Sequence, residues 1–240
     1  MRRFYVPEID SASSVAVLTG DEHHHARNVL RLESGDGVSI FDGRGREYAC
    51  KIEKIGKKDA TLVGLKKIKP SAPESPVAIT LASVAIPGDK YDLIVQKAVE
   101  LGVVTLIPLA SARCELKLKD LSKKLDRWRR IALDASKQCG RAVLMEIAEP
   151  QEVVDLVSSA ASDGERIFFS ERAGGKLHIE REPRSILTVI GPKGGWDDTE
   201  LAAAKAAEFN VVTLGGRIMR AETAAISLTA VLQHRFGDLN

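Results

Sequence analysis

The 240-residue sequence predicts a small, mainly β domain followed by a larger α/β domain, in which a parallel sheet carries helices on both faces. Three observations predict this. Pro70, Pro73 and Pro76 fall within seven residues, and each fixes φ and lacks an amide donor, so neither a helix nor a central strand runs through them. Before that stretch, short alternating runs are separated by turn residues. After it, apolar runs alternate with helical stretches, the pattern of a parallel sheet. The expected division is 1–72 and 73–240.

In the first domain Val38-Ser39-Ile40-Phe41 leads through Asp42-Gly43-Arg44-Gly45 into Tyr48–Ile55, a β-hairpin. Ala60 to Ile68 adds a further strand. In the second domain Val77–Ile86, Val103–Leu109, Val143–Ile147, Ile167–Phe169, Ile186–Ile190 and Val211–Leu214 read as strands. The clearest helix spans roughly Asp120 to Cys139, with Leu121, Leu125, Trp128, Ala132, Ala135 and Cys139 on one stripe. Lys123, Lys124, Arg127 and Arg130 lie largely off that stripe and can face solvent or a polyanion.

Composition excludes some classes. No run approaches the ~18 apolar residues of a membrane span, and Arg2-Arg3-Phe4-Tyr5 leads into Pro7, Glu8 and Asp10 instead of an apolar signal core, so a soluble, cytoplasmic protein with no membrane partner is expected. Cys50, Cys114 and Cys139 are odd in number, far apart and never in a Cys-x-x-Cys pair, which argues against a disulfide framework and a zinc site. Net charge is only +2, but residues 117–141 carry nine basic and three acidic side chains, a local +6 that suits RNA. His23-His24-His25 is a solvated or RNA-facing run rather than a metal site, since adjacent helical residues point in different directions.

The chemistry gathers in two glycine loops. After Ile186–Ile190 comes Gly191-Pro192-Lys193-Gly194-Gly195-Trp196, and then Asp197-Asp198-Thr199-Glu200 opens an Ala-rich helix that Asp197 or Asp198 can cap. After the next strand comes Leu214-Gly215-Gly216-Arg217-Ile218-Met219-Arg220-Ala221-Glu222, running into a helix with Ala225, Leu228 and Leu232 inward. Glycines let a ligand approach the backbone, and strand carboxyl ends are where open α/β sheets bind ligands. Neither loop has the phosphate-loop or dinucleotide spacing, which counts against a nucleotide-dependent oxidoreductase. Two such loops form two walls of one pocket. Trp128 sits on the apolar stripe and reads as core, and Trp196 as core or pocket wall.

GPKGGWDDTE followed by LGGRIMRAETAAI resembles the paired signature of the ribosomal RNA small subunit methyltransferase E family, which methylates N3 of a uridine in 16S ribosomal RNA. The resemblance extends over the chain. It takes in Arg2-Arg3-Phe4-Tyr5, His24 through Val29-Leu30-Arg31 to Gly35-Asp36, Gln96-Lys97-Ala98-Val99-Glu100-Leu101-Gly102, and Ser136-Lys137-Gln138-Cys139-Gly140-Arg141. It implies a PUA-like β-barrel domain, then a SPOUT-type α/β domain with a C-terminal trefoil knot, working as a homodimer on 16S ribosomal RNA or the small subunit with S-adenosylmethionine as methyl donor and no metal. One departure is a charge reversal: the family has Glu where this chain has Lys193.

On that resemblance, backbone around Ile190, Gly191, Gly194, Gly195, Leu214, Gly215, Ile218 and Met219 holds S-adenosylmethionine, with Ser170 at a neighbouring strand end. Arg220 stabilises the deprotonated uracil or positions the donor. Glu222 relays a proton or caps the last helix. Arg141 and Gln138 contact the target nucleotide or its phosphate, or Arg141 merely ends a helix. Arg2, Arg3, Arg27 and Arg31 read RNA shape or backbone. A noncatalytic RNA-binding or ribosome-assembly protein on the same fold is the rival reading.

Overall fold

A parallel strand feeding a helix packs back onto its sheet, and the apolar runs after residue 76 do so repeatedly. The computed structural model describes residues 2–10, 14–161, 163–179 and 181–240, in two compact units. One comprises residues 1–74 and 136–144, the other 75–135 and 145–240. The contribution of 136–144 to the first unit is something a single boundary near residue 72 does not anticipate.

In the first unit, β1 (Arg2–Tyr5) lies parallel to β3, and β2 (Val15–Thr19) leads into a short helix α1 (Gly20–His24) and a π-helical turn at His25–Val29. The expected hairpin is β3 (Gly37–Phe41) and β4 (Glu47–Ile55), and the further strand is β5 (Asp59–Ile68). The sheet order is β1-β3-β4-β5-β2. Two register shifts in the β4–β5 ladder let it bend, because a bulge sharpens local twist. Phe4, Leu18, Ile40, Ile52 and Leu62 fill the single core that the sheet encloses. Asp42 in the hairpin turn accepts the amides of Arg44 and Arg46 and the Arg46 guanidinium at 2.6 Å.

In the second unit the chain runs β6 (Ala78–Val84), α2 (Lys90–Glu100), β7 (Thr105–Ala110), α3 (Leu118–Ser122), α4 (Leu125–Cys139), β8 (Glu146–Ile147), β9 (Gln151–Glu152), α5 (Val153–Ser159), β10 (Glu165–Phe169), β11 (Ser185–Ile190), α6 (Asp198–Ala206), β12 (Asn210–Val212) and α7 (Ala221–Phe236). The last turn of α4 counts with the first unit. The sheet order is β12-β10-β11-β6-β7-β8, with β9 also on β7, and every pairing is parallel. Alternate residues of β6 address opposite faces. Ala82 and Val84 pack with α5 and α6, whereas Leu81 meets α2 and α7. Helices thus cover both faces, as expected.

Two expectations are corrected. The helix drawn over Asp120–Cys139 is two helices, α3 and α4, separated by a turn at Lys123-Lys124. Leu121 and Leu125 stay buried on either side of it, so the apolar stripe survives the break. The strand expected at Val143–Ile147 shrinks to Glu146–Ile147, because Val143 bridges to Gly43 and Arg44 of the first unit instead.

Candidate active site

All strands of the second unit run the same way, so the loops after β6, β7, β10, β11 and β12 share one edge, the edge where open α/β sheets bind ligands. The loop after β10 turns back over β12 and is stitched to it. Ser170 N donates to Val212 O at 2.9 Å, Thr213 Oγ1 to Ser170 O at 2.8 Å, and Gly174 N to Thr213 Oγ1 at 3.0 Å. Gly174 is required there: a Cβ would sit 2.7 Å from Thr213 N and collide with Val212.

The loop after β11 is shaped by Trp196. Its indole donates to Phe169 O at 2.7 Å and packs on the Phe168 ring at 4.3 Å, so this residue is both core and loop support. Gly191 passes so close that a Cβ would lie 2.8 Å from the Trp196 ring, and only glycine accommodates this. Gly195 has φ +73 and backs onto the Glu171 carboxylate. Asp197, not Asp198, caps α6, accepting the Thr199 hydroxyl and amide, and these bonds hold its carboxyl below the ordinary carboxylate range. Glu200 completes the capping box through Asp197 N at 3.0 Å and also accepts Ala112 N at 2.9 Å, joining the start of α6 to the turn after β7.

These loops enclose a pocket. Of the expected cofactor residues it brings together Ser170, Ile190, Gly191, Leu214 and Met219, with Trp196 as a wall and Glu171 and Arg217 as its charged groups. Gly194 and Gly195 are absent from its lining: Gly194 faces Arg113, and Gly195 lies against Glu171. Gly215, Ile218 and Arg220 also stand outside it. Gly215 takes φ +70 in open space, and Ile218 is 65% exposed.

Arg220 lines a neighbouring cleft of about 410 Å³ that shares Pro192 and Ala221 with the pocket. Its charged walls are Lys90, Arg113, Lys193, Arg220, Glu115 and Glu222. Glu222 pairs with Lys90 at 3.5 Å. Arg113 donates to Gly194 O at 3.3 Å and stands 3.9 Å from Asp197. Cys114 is also in the wall, and burial raises its thiol above the usual cysteine range, which keeps it a neutral, weak nucleophile. Lys90, Arg113 and Glu115 were not expected at the site. The signal was present, since Arg113 and Glu115 lie in the loop after β7 and Lys90 opens the helix that follows β6, both at strand carboxyl ends.

The expected RNA residues separate into two groups. Arg2, Arg27, Arg31 and Gln138 are exposed, Arg27 donating to Gly56 O and Arg31 adopting φ 50. Arg3 and Arg141 are internal to the first unit. The Arg3 side chain is 7% exposed and bonds both oxygens of Glu47, the Ser136 carbonyl and the Phe41 ring face. Arg141 is 3% exposed and clamps Glu74 at 2.6 Å. On α3, α4 and the turn between them, Lys123, Arg127 and Arg130 are exposed and Lys124 is half-buried; Arg127 is tied to Asp89 and Asp92, Lys123 to Asp120 at 3.6 Å. His23 is buried with Nε2 3.2 Å from Gly56 O. Among the described residues, no helix is long and apolar enough to cross a membrane.

A parallel sheet whose glycine loops converge on one pocket, joined to a small β unit, is the architecture of an RNA methyltransferase. The family model for an RNA methyltransferase domain matches residues 73–233, and that for an RNA methyltransferase PUA domain matches residues 18–63. The chain belongs to the ribosomal RNA small subunit methyltransferase E family. The member from Buchnera aphidicola (subsp. Acyrthosiphon pisum) is 30% identical, covering 98% of this chain and 94% of its own. That from Mesomycoplasma hyopneumoniae is 32% identical over 95% and 97%. The Neisseria gonorrhoeae member, solved bound to S-adenosylmethionine, superposes with a TM-score of 0.92 at 32% identity over 100% of both chains. A Legionella pneumophila protein, also solved with S-adenosylmethionine, gives 0.89 at 29% identity over 99% of this chain and 98% of its own.

Proposed function

We propose that this chain transfers a methyl group from S-adenosylmethionine to N3 of a uridine in 16S ribosomal RNA. The observation that carries the reading is the pocket in which Ser170, Gly191, Leu214 and Met219 converge from three adjacent strand ends, beside a cleft lined by Lys90, Arg113, Lys193 and Arg220. The residues present fit the cofactor: Glu171 and Arg217 offer opposite charges for a ligand carrying both an ammonium and a carboxylate, beside the wall that Gly191 and Trp196 form in close contact. S-adenosylmethionine supplies an electrophilic methyl on a sulfonium.

Everything else falls to the protein: alignment, exclusion of water and charge stabilisation. Uracil N3 is protonated at neutral pH and must lose that proton before it attacks the methyl carbon. The negative charge that results spreads onto the ring carbonyl oxygens. Stabilising it is assigned to Arg220, exposed beside Ala221 in the cleft wall. Glu222, 3.5 Å from the Lys90 ammonium, is the acceptor assigned here. The exposed arginines Arg2, Arg27 and Arg31, with Gln138, Lys123 and Arg130, are assigned to RNA backbone, and Arg3 and Arg141 to bracing the first unit.

Residues 1–72 as an RNA-binding domain, 73–240 as the methyltransferase domain, the C-terminal knot, the homodimer and a cytoplasmic setting belong to the same reading. The test is transfer of labelled methyl to unmethylated small-subunit RNA and to assembled subunits, with mass analysis of the released nucleosides. The expected product is N3-methyluridine. No transfer to either substrate from folded protein overturns the reading.

A further inference from the structure

We propose that Lys193 is a substrate-positioning residue of this chain, binding a backbone phosphate of the RNA next to the target nucleotide. The inference rests on the methyltransferase reading above and deepens it. Its starting point is a charge imbalance in the cleft beside the cofactor pocket. Four cations line that cleft, Lys90, Arg113, Lys193 and Arg220, against two carboxylates, Glu115 and Glu222. Lys90 is engaged by Glu222 at 3.5 Å, and Arg113 reaches Gly194 O and, at 3.9 Å, Asp197. The ammonium of Lys193 and the guanidinium of Arg220 have no hydrogen-bond or ion-pair partner among the described residues.

Like charges brought to one concave wall repel each other unless an anion enters between them. Arg220 stands at the junction with the cofactor pocket, at the residue before α7, and so belongs to the reacting base. Lys193 is exposed on the opposite loop, one residue past the Pro192 that pocket and cleft share. The Gly191–Trp196 contact and the Asp197–Glu200 capping box brace that loop at both ends, so the lysine is carried on a fixed support. A flexible ammonium on a rigid loop, beyond the reacting centre, matches a phosphodiester better than a planar base edge.

The experiment measures the affinity of the full-length chain for a labelled single-stranded RNA carrying the small-subunit target sequence, across a salt series with S-adenosylmethionine present. Lys193→Ala and Lys193→Arg are compared with the native chain, and Lys205→Ala, an exposed site on α6, is the control. Loss of one phosphate contact lowers the log–log salt slope by about 0.7 and weakens binding about fivefold at 0.1 M salt. That is the result expected for Lys193→Ala, with KM for RNA raised, kcat little changed, and native slopes for Lys193→Arg and Lys205→Ala. An unchanged slope overturns the proposal. If kcat and the pH–rate profile shift while the slope stays native, Lys193 acts on the base and the phosphate assignment falls. S-adenosylmethionine binding, followed calorimetrically, keeps the two readings apart: a native chain that binds RNA but no cofactor defeats the methyltransferase reading and leaves the slope comparison standing.

Discussion

The Glu200 carboxylate accepts the backbone amide of Ala112 at 2.9 Å across 88 residues of sequence, while its other oxygen accepts Asp197 N. One buried acid therefore holds together the glycine loop and the turn that presents Arg113. Glu200→Ala leaves both amides without their acceptor and should lower stability by about 2 kcal/mol, read from the urea midpoint. Glu200→Gln keeps one acceptor oxygen and should lose less. Equal midpoints for Glu200→Ala and the native chain would remove the carboxylate from this role.

Gly191→Ala places a methyl 2.8 Å from the Trp196 ring, whose indole is already fixed on Phe169 O. Either the ring or the loop must shift. S-adenosylmethionine affinity should fall at least tenfold, about 1.4 kcal/mol, in protein with an unchanged far-UV spectrum; calorimetric titration gives the answer.

Arg220→Ala removes an exposed side chain with no partner among the described residues, so the melting temperature should move little. Turnover should drop by roughly a hundredfold, the scale of losing one charge-stabilising group at a reacting centre. Native turnover in the folded variant would take Arg220 out of the chemistry.

Asp42 gives the first unit a defined acid response. Burial pushes its carboxyl upward, but the Arg44 amide and the Arg46 side chain and amide outweigh that and hold it below the usual value. A depressed folded pKa stabilises fully above the unfolded value of about 3.9, and the contribution is lost as pH falls through the folded pKa. Stability should therefore decline on acidification below about pH 4, and Asp42→Asn should flatten that part of the curve while lowering stability at neutral pH. Denaturant midpoints between neutral and acid pH test both statements.

Local pattern made the longer strands of the second unit and the capped start of α6 readable, because alternation, glycine after a strand and Asp-x-x-Glu are all short-range signals, whereas two-residue β9 left no pattern to find. The same signals pointed to five of the pocket residues. The Lys123-Lys124 break was invisible, since Leu121 and Leu125 keep helical spacing across it and neither glycine nor proline marks it. The ion pairs of Arg3 and Arg141 were not legible because their partners Glu47 and Glu74 stand 44 and 67 residues away in sequence, beyond any window of periodicity. Thr213 escaped notice for a related reason: its hydroxyl serves a loop 43 residues earlier.

The pocket walls come from Phe169–Glu171, Ile190–Trp196 and Leu214–Ala224, and β12 reaches β10 only after β11 has been made. During synthesis a nascent chain therefore possesses its sheet centre long before it possesses a methyl-donor site. A chain halted before residue 210 lacks β12, leaving Ser170 N and Gly175 N without their acceptors. The pocket walls are therefore complete only when the last strand and helix have been made.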